Sequence, residues 1–186
     1  MPDATTNYGF VIPDAGGDDL ISQDAIRTPV AQIDTRLKIE TDKLAVPARC
    51  RLRCNTSQSI PNGPTPVAIN PSGEYYDPDF MHTAGSTNIN IVEAGLYRLE
   101  AQVTWAGNSS GLRTMQWYVN NVAYDLPIQQ NSPGGNSFSM YISELVYLTA
   151  GQYVTLKVTQ NSGGALDVNS NSYKGYIYVS KEASVG

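Results

Sequence analysis

Apolar and polar residues alternate with a period of two along most of the chain after residue 46. The clearest stretches cover residues 96–106, 112–120 and 152–160. Since successive side chains of a β-strand point to opposite faces, each stretch predicts a strand with one buried face and one polar face. The predicted buried positions are Tyr97, Leu99, Ala101, Val103, Trp105, Met115, Trp117, Val119, Val154, Leu156 and Val158.

Clusters of Gly, Pro, Asn and Ser separate these alternating stretches, for example at 61–64, 107–111 and 131–135. Such residues favour turns because they reach backbone conformations that a strand does not use. Nine or ten short strands joined by turns predict an all-β sandwich. We place nine of them at 48–55, 65–70, 87–92, 96–106, 112–120, 122–128, 137–148, 152–160 and 173–181.

Before residue 46 the apolar period changes to three and four residues, which is typical of a helix. Thr28 suits the N-cap and Pro29 the first helical position. The stripe is narrow, so a lone helix of about 16 residues would be marginal in water. Its β-branched positions favour a three-stranded coiled coil of identical chains over 29–45, and packing on its own head domain is the alternative. The predicted seam is Ile26, Val30, Ile33, Leu37 and Leu44.

Residues 1–18 are rich in Pro, Gly and Asp and carry one small apolar island. A segment of this composition cannot bury enough apolar surface to fold alone, so we predict an extended docking segment. Three parts follow from these patterns: an anchor at 1–28, a coiled-coil helix at 29–45 and a head domain at 46–186. The predicted anchor residues are Tyr8, Phe10, Val11 and Ile12.

The last predicted strand differs from the others because both of its faces are apolar. Tyr173, Ile177 and Val179 share one face. A strand in a two-sheet sandwich buries only one face inside its own subunit. Tyr176 and Tyr178, on the opposite face, are therefore predicted to contact a neighbouring subunit.

Charge and hydropathy exclude two classes of partner. The net charge is −5, so a trimer would carry 3 × −5 = −15, and no continuous basic surface is available for a phosphate backbone. No run approaches the roughly 20 apolar residues that span a bilayer, and no export signal of the Sec type opens the chain. We expect neither nucleic-acid binding nor membrane insertion.

Cys50 and Cys54 lie four residues apart in a predicted strand. At about 3.3 Å per residue they would be roughly 13 Å apart, too far for a disulfide. We expect two small buried apolar groups beside Leu52, which leaves the redox compartment open. The opposite face of this strand is predicted to be solvated or to form intersubunit salt bridges, in preference to binding an anionic receptor; it carries Arg49, Arg51 and Arg53.

Several motifs resemble the complement C1q and tumour-necrosis-factor-like jelly roll in the form found in phage fibre proteins. They are IVEAGLY (91–97), WAGNSSGLR (105–113), AGQYV (150–154) and QNSGGAL (160–166). The resemblance spans about 48–182 and implies a ten-stranded jelly roll that assembles as a homotrimer, with loops at the distal end free to contact a ligand. The N-terminal motif YGFVIPD (8–14), followed by IDTRL (33–37), is similar to the leader of actinophage minor tail proteins.

Catalytic chemistry is not predicted. His82 is the only histidine, and no Gly-x-Ser-x-Gly motif is present. Glu74, Asp77 and Asp79 cluster in a predicted loop, where carboxylates more often form turns than a glycosidase pair. No cofactor is expected; a calcium ion on Asp77 and Asp79, with Asp167 or Asn169, is a weaker hypothesis.

Glycan recognition would use exposed aromatic rings and the hydrogen-bonding side chains of loops. The candidates are Tyr75, Tyr76, Asn108, Ser109 and Asn131, and the alternative is that each is an ordinary loop residue.

The sequence thus predicts a non-enzymatic, homotrimeric structural protein of a phage virion. It would be a tail or baseplate fibre that is made in the host cytoplasm, anchored in a larger virion protein by its N-terminus, and exposed at the virion surface. Its head would bind a host surface glycan. The alternatives are a capsid head fibre or decoration protein without receptor binding and, more weakly, a glycan-degrading tail enzyme.

Overall fold

The computed structural model describes residues 3–4, 11–12, 29–37, 47–169 and 175–183. The chain divides into two units, Met1–Val46 and Pro47–Gly186.

The first unit contains a short strand pair and a helix. β1 (Asp3–Ala4) pairs antiparallel with β2 (Val11–Ile12), and α1 covers residues 29–37. No helix in the described ranges is long and apolar enough to cross a membrane. The predicted anchor residues Tyr8 and Phe10 lie outside the described residues, and Val11 and Ile12 form β2, so the anchor stays a prediction.

Three residues of the predicted seam lie on α1. Ile33 and Leu37 are 56% and 52% exposed within the single chain, and Val30 is partly buried. Their spacing of three and four residues places them on one side of the helix. Ile26 and Leu44 lie outside the described residues, so the coiled coil stays a prediction.

The described part of the second unit contains thirteen strands. They are β3 (Arg49–Cys54), β4 (Gln58–Ile60), β5 (Gly63–Ala68), β6 (Gly73–Tyr76), β7 (Ile89–Asn90), β8 (Gly95–Trp105), β9 (Leu112–Val119), β10 (Val122–Ala123), β11 (Ile128–Asn131), β12 (Phe138–Leu148), β13 (Tyr153–Gln160), β14 (Leu166–Val168) and β15 (Gly175–Ala183).

The first of two antiparallel sheets runs in the order β12, β8, β15, β3, β6. β8 pairs with β12 along its whole length and with β15 on its other side. Beyond the start of β15, β14 continues that side of β8 through the pair Val168 and Trp105, and β4 borders β14. The long strands β12, β8 and β15 lie side by side and give this sheet a broad, continuous outer face.

The second sheet is built around the pair of β9 and β13. β10 and β11 pair with the other side of β9, and β5 and β7 pair with the other side of β13. The inner faces of the two sheets meet in one hydrophobic core.

The alternation of the sequence determines which side chains enter this core. Every predicted inward position in the described residues is buried except Val119, which is partly buried, and Tyr173 lies outside the described residues. Cys50 and Cys54 are buried free thiols beside Leu52, as predicted. The prediction of an all-β sandwich is therefore confirmed.

The set of strands differs from the prediction in four places. The stretch 122–128 is not one strand, because Asp125 has a left-handed backbone (φ 53°) and separates β10 from β11. β4, β6 and β14 were not predicted; each has only three or four residues, too few for a visible alternation. For this reason the sandwich has more than the ten predicted strands.

Candidate functional site

The outer face of the first sheet carries a large set of aromatic and apolar side chains. The exposures of Tyr141, Leu145 and Tyr147 on β12 are 50%, 50% and 53%, although this strand pairs with β8 along its whole length. Tyr176 and Tyr178 point outward from β15 because Ile177 and Val179 take the inward positions. We call these outward residues, together with two on β6, the tyrosine face: Tyr75, Tyr76, Tyr141, Leu145, Tyr147, Tyr176 and Tyr178.

A bulge brings both tyrosines of β6 to this face. The register between β6 and β3 shifts between Arg51 and Leu52, so Tyr75 is an extra residue on β6. Tyr75 and Tyr76 are therefore strand residues at the edge of the sheet, which corrects the prediction that they lie in a ligand-binding loop.

The three arginines of β3 stack on tyrosines of the same subunit. The guanidinium carbon of Arg53 is 4.1 Å from the ring centroid of Tyr75, and that of Arg49 is 5.4 Å from the ring of Tyr76. Arg51 lies 5.1 Å from the rings of both Tyr75 and Tyr176. Among the ion pairs of the described residues, none involves these arginines. Aromatic rings rather than carboxylates therefore surround their charge within the subunit.

A shallow depression of about 280 Å³ lies in the middle of the arginine half of the tyrosine face. Strand register sets its walls: Arg51 is paired with Tyr76 on one side and Tyr178 on the other, and Tyr178 is paired in turn with Glu100. Tyr176 completes the lining. The depression thus combines phenol groups with one cation and one anion.

Partial burial raises the pKa of two phenols of this face. Burial is the largest cause that raises the pKa of Tyr76, and the neighbouring Tyr178 is the next largest. Burial is also the largest cause that raises the pKa of Tyr176, and Tyr141 and Glu100 add smaller contributions. Neutral phenols can donate and accept hydrogen bonds at an interface while their rings exclude water.

The other half of the tyrosine face lies on β12. Leu145 is next to Arg98 of β8, and Tyr147 is next to Leu96. In the described part of the fold β12 pairs only with β8, so it is an edge strand. An edge strand with exposed apolar side chains favours association with another chain.

Three of the predicted ligand residues meet at one end of the sandwich. We call this end the apex; it consists of the loops 106–111, 132–137 and 161–165. The Ser132 hydroxyl donates to the Asn108 carbonyl oxygen, and a Cβ at Gly107 would overlap the carbonyl oxygen of Gly135. Asn131 is the last residue of β11, and Ser109 is exposed in the first loop. The structure brings these three together but places Tyr75 and Tyr76 on the tyrosine face.

Two carboxylates of the predicted acidic loop cluster, Asp77 and Asp79, bind the backbone, whereas Glu74 lies on β6 and contacts His82. Asp77 accepts hydrogen bonds from the N–H groups of Met81 (2.9 Å) and His82 (2.7 Å), and Asp79 accepts one from Arg49 (3.1 Å). These contacts support the interpretation as turn formers. Within the described ranges, no group of three His, Cys, Asp or Glu residues could hold a metal ion.

Both ring nitrogens of His82 are engaged by acceptors. Nδ1 lies 2.9 Å from the Glu74 carboxylate, and Nε2 lies 3.0 Å from the Ser86 carbonyl oxygen. His82 and Glu74 border a cleft of about 310 Å³, but no hydroxyl or thiol of the described chain is hydrogen-bonded to the imidazole. The arrangement therefore lacks the nucleophile and base contact of a triad.

The residues Tyr141, Leu145 and Tyr147 were missed by the sequence analysis. The signal was present, because four of the inward positions of the same strand are also apolar: Met140, Ile142, Val146 and Leu148. An apolar character on both faces is the same pattern that identified Tyr176 and Tyr178.

Comparison with known proteins extends these observations to the fold class. No family model matches the sequence, and no curated protein matches it. Among solved structures, the globular domain of zebrafish complement 1qA protein superposes with a TM-score of 0.55 at 9% identity, covering 74% of this chain and 99% of that domain. Eiger TNF from S. frugiperda gives 0.56 at 13% identity, with 76% and 96% covered.

Murine APRIL gives a TM-score of 0.52 at 14% identity, with 73% of this chain and 98% of that structure covered. At such low identity the likeness concerns the fold. The chain has the complement C1q and TNF-like jelly roll, which confirms the predicted fold class.

Proposed function

We propose that this chain is a non-enzymatic homotrimeric binding protein whose subunits associate through the tyrosine face. The observation that carries the proposal is the coexistence on one sheet of exposed apolar rings, an edge strand and three arginines that form no ion pair with a carboxylate of the described residues. Burying the exposed half of one tyrosine stabilises a complex by about 2 kcal/mol. Several such residues per subunit give association a sufficient driving force.

The two halves of the tyrosine face suit a threefold assembly. A cyclic trimer uses heterologous contacts, in which one patch of each subunit meets a different patch of the next. The arginine half on β6, β3 and β15 and the apolar half on β12 are two such patches. The jelly-roll fold, which resembles complement C1q and TNF heads, also supports three copies.

The finer function rests on the N-terminal resemblance. We place the trimer on a phage virion, as a tail or baseplate fibre whose residues 1–28 dock in a larger protein and whose head binds a host surface glycan through the apex. Asn108, Ser109 and Asn131 are the residues that would face the glycan. Three weak sites per fibre would then act together through their high effective concentration.

The molar mass in solution tests the assembly. We expect the full chain to have a mass of about 60 kDa by light scattering at micromolar concentration, because three copies of 20.1 kDa make 60.3 kDa. Tyr176→Asp should lower the mass towards 20.1 kDa, since a carboxylate would have to be buried beside apolar rings.

Tyr118→Asp is the matched control. Tyr118 is equally a partly buried tyrosine next to a cation, with the Lys157 ammonium 4.3 Å from its ring, but it lies on the outer face of the second sheet. This variant should stay at about 60 kDa. A wild-type mass of 20.1 kDa would refute the trimer, and dissociation by both variants would refute the choice of face.

Virion incorporation and adsorption test the finer function. Phage particles assembled with a chain that lacks residues 1–28 should not contain this protein. In a separate experiment, the purified wild-type trimer should compete with phage particles for adsorption to host cells. Normal incorporation of the truncated chain would contradict the anchor. Failure to compete would instead favour a decoration protein that binds no receptor.

A further inference from the structure

Arg113 lies inside the sandwich directly below the apex. It is the second residue of β9 and points inward in phase with Met115 and Trp117. Its side chain is fully buried (0% exposed), and its guanidinium carbon is 5.7 Å from the ring centroid of Trp105. A formal positive charge is thus enclosed in the hydrophobic core.

One edge of this guanidinium is without an acceptor. Nη1 donates to the carbonyl oxygens of Ser110 (3.0 Å) and Leu112 (3.3 Å), whereas the buried Nε and Nη2 groups have no hydrogen-bond partner. These two N–H groups are parallel and form the fork with which arginine binds anions. The indole N–H of Trp105 is also buried without an acceptor.

The polar side chain paired across from Arg113, that of Gln160, does not serve the fork. Gln160 is buried directly across from Arg113 on β13, but its oxygen accepts from the Ser162 backbone N–H and hydroxyl. Its amide group donates to the carbonyl oxygens of Ile60 and Gly164. No carboxylate of the described chain forms an ion pair with Arg113.

Burial makes the missing counter-charge costly. Desolvation lowers the pKa of Arg113, yet a guanidinium remains protonated at neutral pH. A buried ion without an opposite charge strongly destabilises a fold. A negative group at the fork would remove this penalty.

The space around the fork limits the size of such a group. The apex loops approach each other closely: a Cβ at Gly111 would lie 2.6 Å from the Asn161 carbonyl oxygen, and one at Gly107 would overlap Gly135. Because Arg113 has no exposed surface, an extended organic anion could reach the fork only by displacing these loops.

We infer that the Nε and Nη2 fork of Arg113 binds one small inorganic anion, of the halide class, inside each head. The anion neutralises the guanidinium that holds the Ser110 and Leu112 carbonyl groups, so it stabilises the loop carrying Asn108 and Ser109. The site belongs to a single subunit and does not depend on the proposed trimer.

Thermal unfolding of the full chain tests this site. The melting temperature in sodium chloride is compared with that in sodium gluconate at equal ionic strength, because gluconate is too large for the site. Chloride at a hundredfold excess over its dissociation constant should raise the melting temperature by about 5–10 °C in a saturable manner. Arg113→Met should abolish the difference. Lys157→Met, which removes a cation from the outer face, should keep it.

X-ray diffraction of the wild-type protein provides a second test, which does not depend on whether Arg113→Met folds. Wild-type protein refolded and crystallised in sodium bromide should show an anomalous peak within hydrogen-bond distance of Nε and Nη2 of Arg113. A water molecule at the fork, without an anomalous peak, would overturn the proposal. So would a melting temperature that is the same in chloride and gluconate.

Discussion

The outer faces of the two sheets differ in how their side chains are satisfied. On the second sheet, the hydroxyls of Thr114 and Thr159 are 2.5 Å apart, and Thr155 donates to the Asn88 side chain (2.9 Å). Lys157 lies over the ring of Tyr118 and donates to Asn121 (3.1 Å). On the first sheet, the tyrosine face leaves half of several large apolar side chains in contact with water.

The difference indicates which face a second copy would cover. Polar groups that are paired within the subunit gain nothing from further burial, because their hydrogen bonds are already made. Exposed rings and an apolar edge strand gain free energy from every area of surface that a second copy covers. Two faces of the same sandwich therefore lead to opposite expectations for association.

Replacing the exposed apolar residues of β12 with threonine, a residue typical of the outer face of the second sheet, should have the largest effect on association. The variant Tyr141→Thr, Leu145→Thr, Tyr147→Thr keeps residues that favour strands but removes the apolar half of the tyrosine face. We expect the association constant of the trimer to fall by more than about 100-fold. Sedimentation velocity across a concentration series would measure this loss.

Tyr118→Thr is the control on the second sheet and should leave the association constant unchanged. Far-UV circular dichroism should show that both proteins keep their strand content. If the triple variant formed trimers as tightly as wild type, β12 would not lie in the interface.

The two buried thiols on the inner side of β3 should have a smaller effect, which is a dependence of the free energy of unfolding on pH. Burial raises the pKa of Cys54 from 9.0 to about 12, and burial together with Asp77 and Glu74 raises the pKa of Cys50. The unfolded chain loses these protons from about pH 9 upward, whereas the folded chain retains them. Stability is therefore complete below pH 9 and should fall above it by about 1.4 kcal/mol per pH unit for each thiol.

Urea unfolding between pH 8 and 10 would measure this slope before most tyrosines ionise. The double variant Cys50→Ala, Cys54→Ala should lack most of the slope, whatever its absolute stability. Equal slopes in both proteins would show that the thiols are not shielded beneath the arginine-bearing face.

The fold followed from local patterns in the sequence. Alternation identified nearly every inward residue, and the double apolar character of 173–179 identified Tyr176 and Tyr178 as outward residues. Both depend only on the period of a strand, which sequence order determines. The same reasoning applied to 137–148 would have found Tyr141, Leu145 and Tyr147.

Contacts between strands were beyond such reasoning. The stacking of Arg53 on Tyr75 requires β6 to pair with β3 and a bulge to add one residue, and no local pattern encodes that register. The Nε and Nη2 groups of Arg113 likewise lack a partner because the side-chain oxygen of Gln160 already accepts a hydrogen bond from Ser162. Such features arise from the three-dimensional neighbourhood rather than from the chain order.

The smallest predicted effect tests whether the polar side chains on the outer face of the second sheet make their hydrogen bonds within one subunit. Thr155→Val keeps the shape of a buried side chain but removes the donor to the partly buried Asn88 oxygen, so the free energy of unfolding should fall by about 1 kcal/mol. Thr159→Val should cost less, because Thr159 is only partly buried and water can replace its bond to Thr114. Urea unfolding measures both losses, and light scattering should show an unchanged mass. A change of mass in either variant would mean that this face also takes part in association, and the contrast between the two sheets would no longer hold.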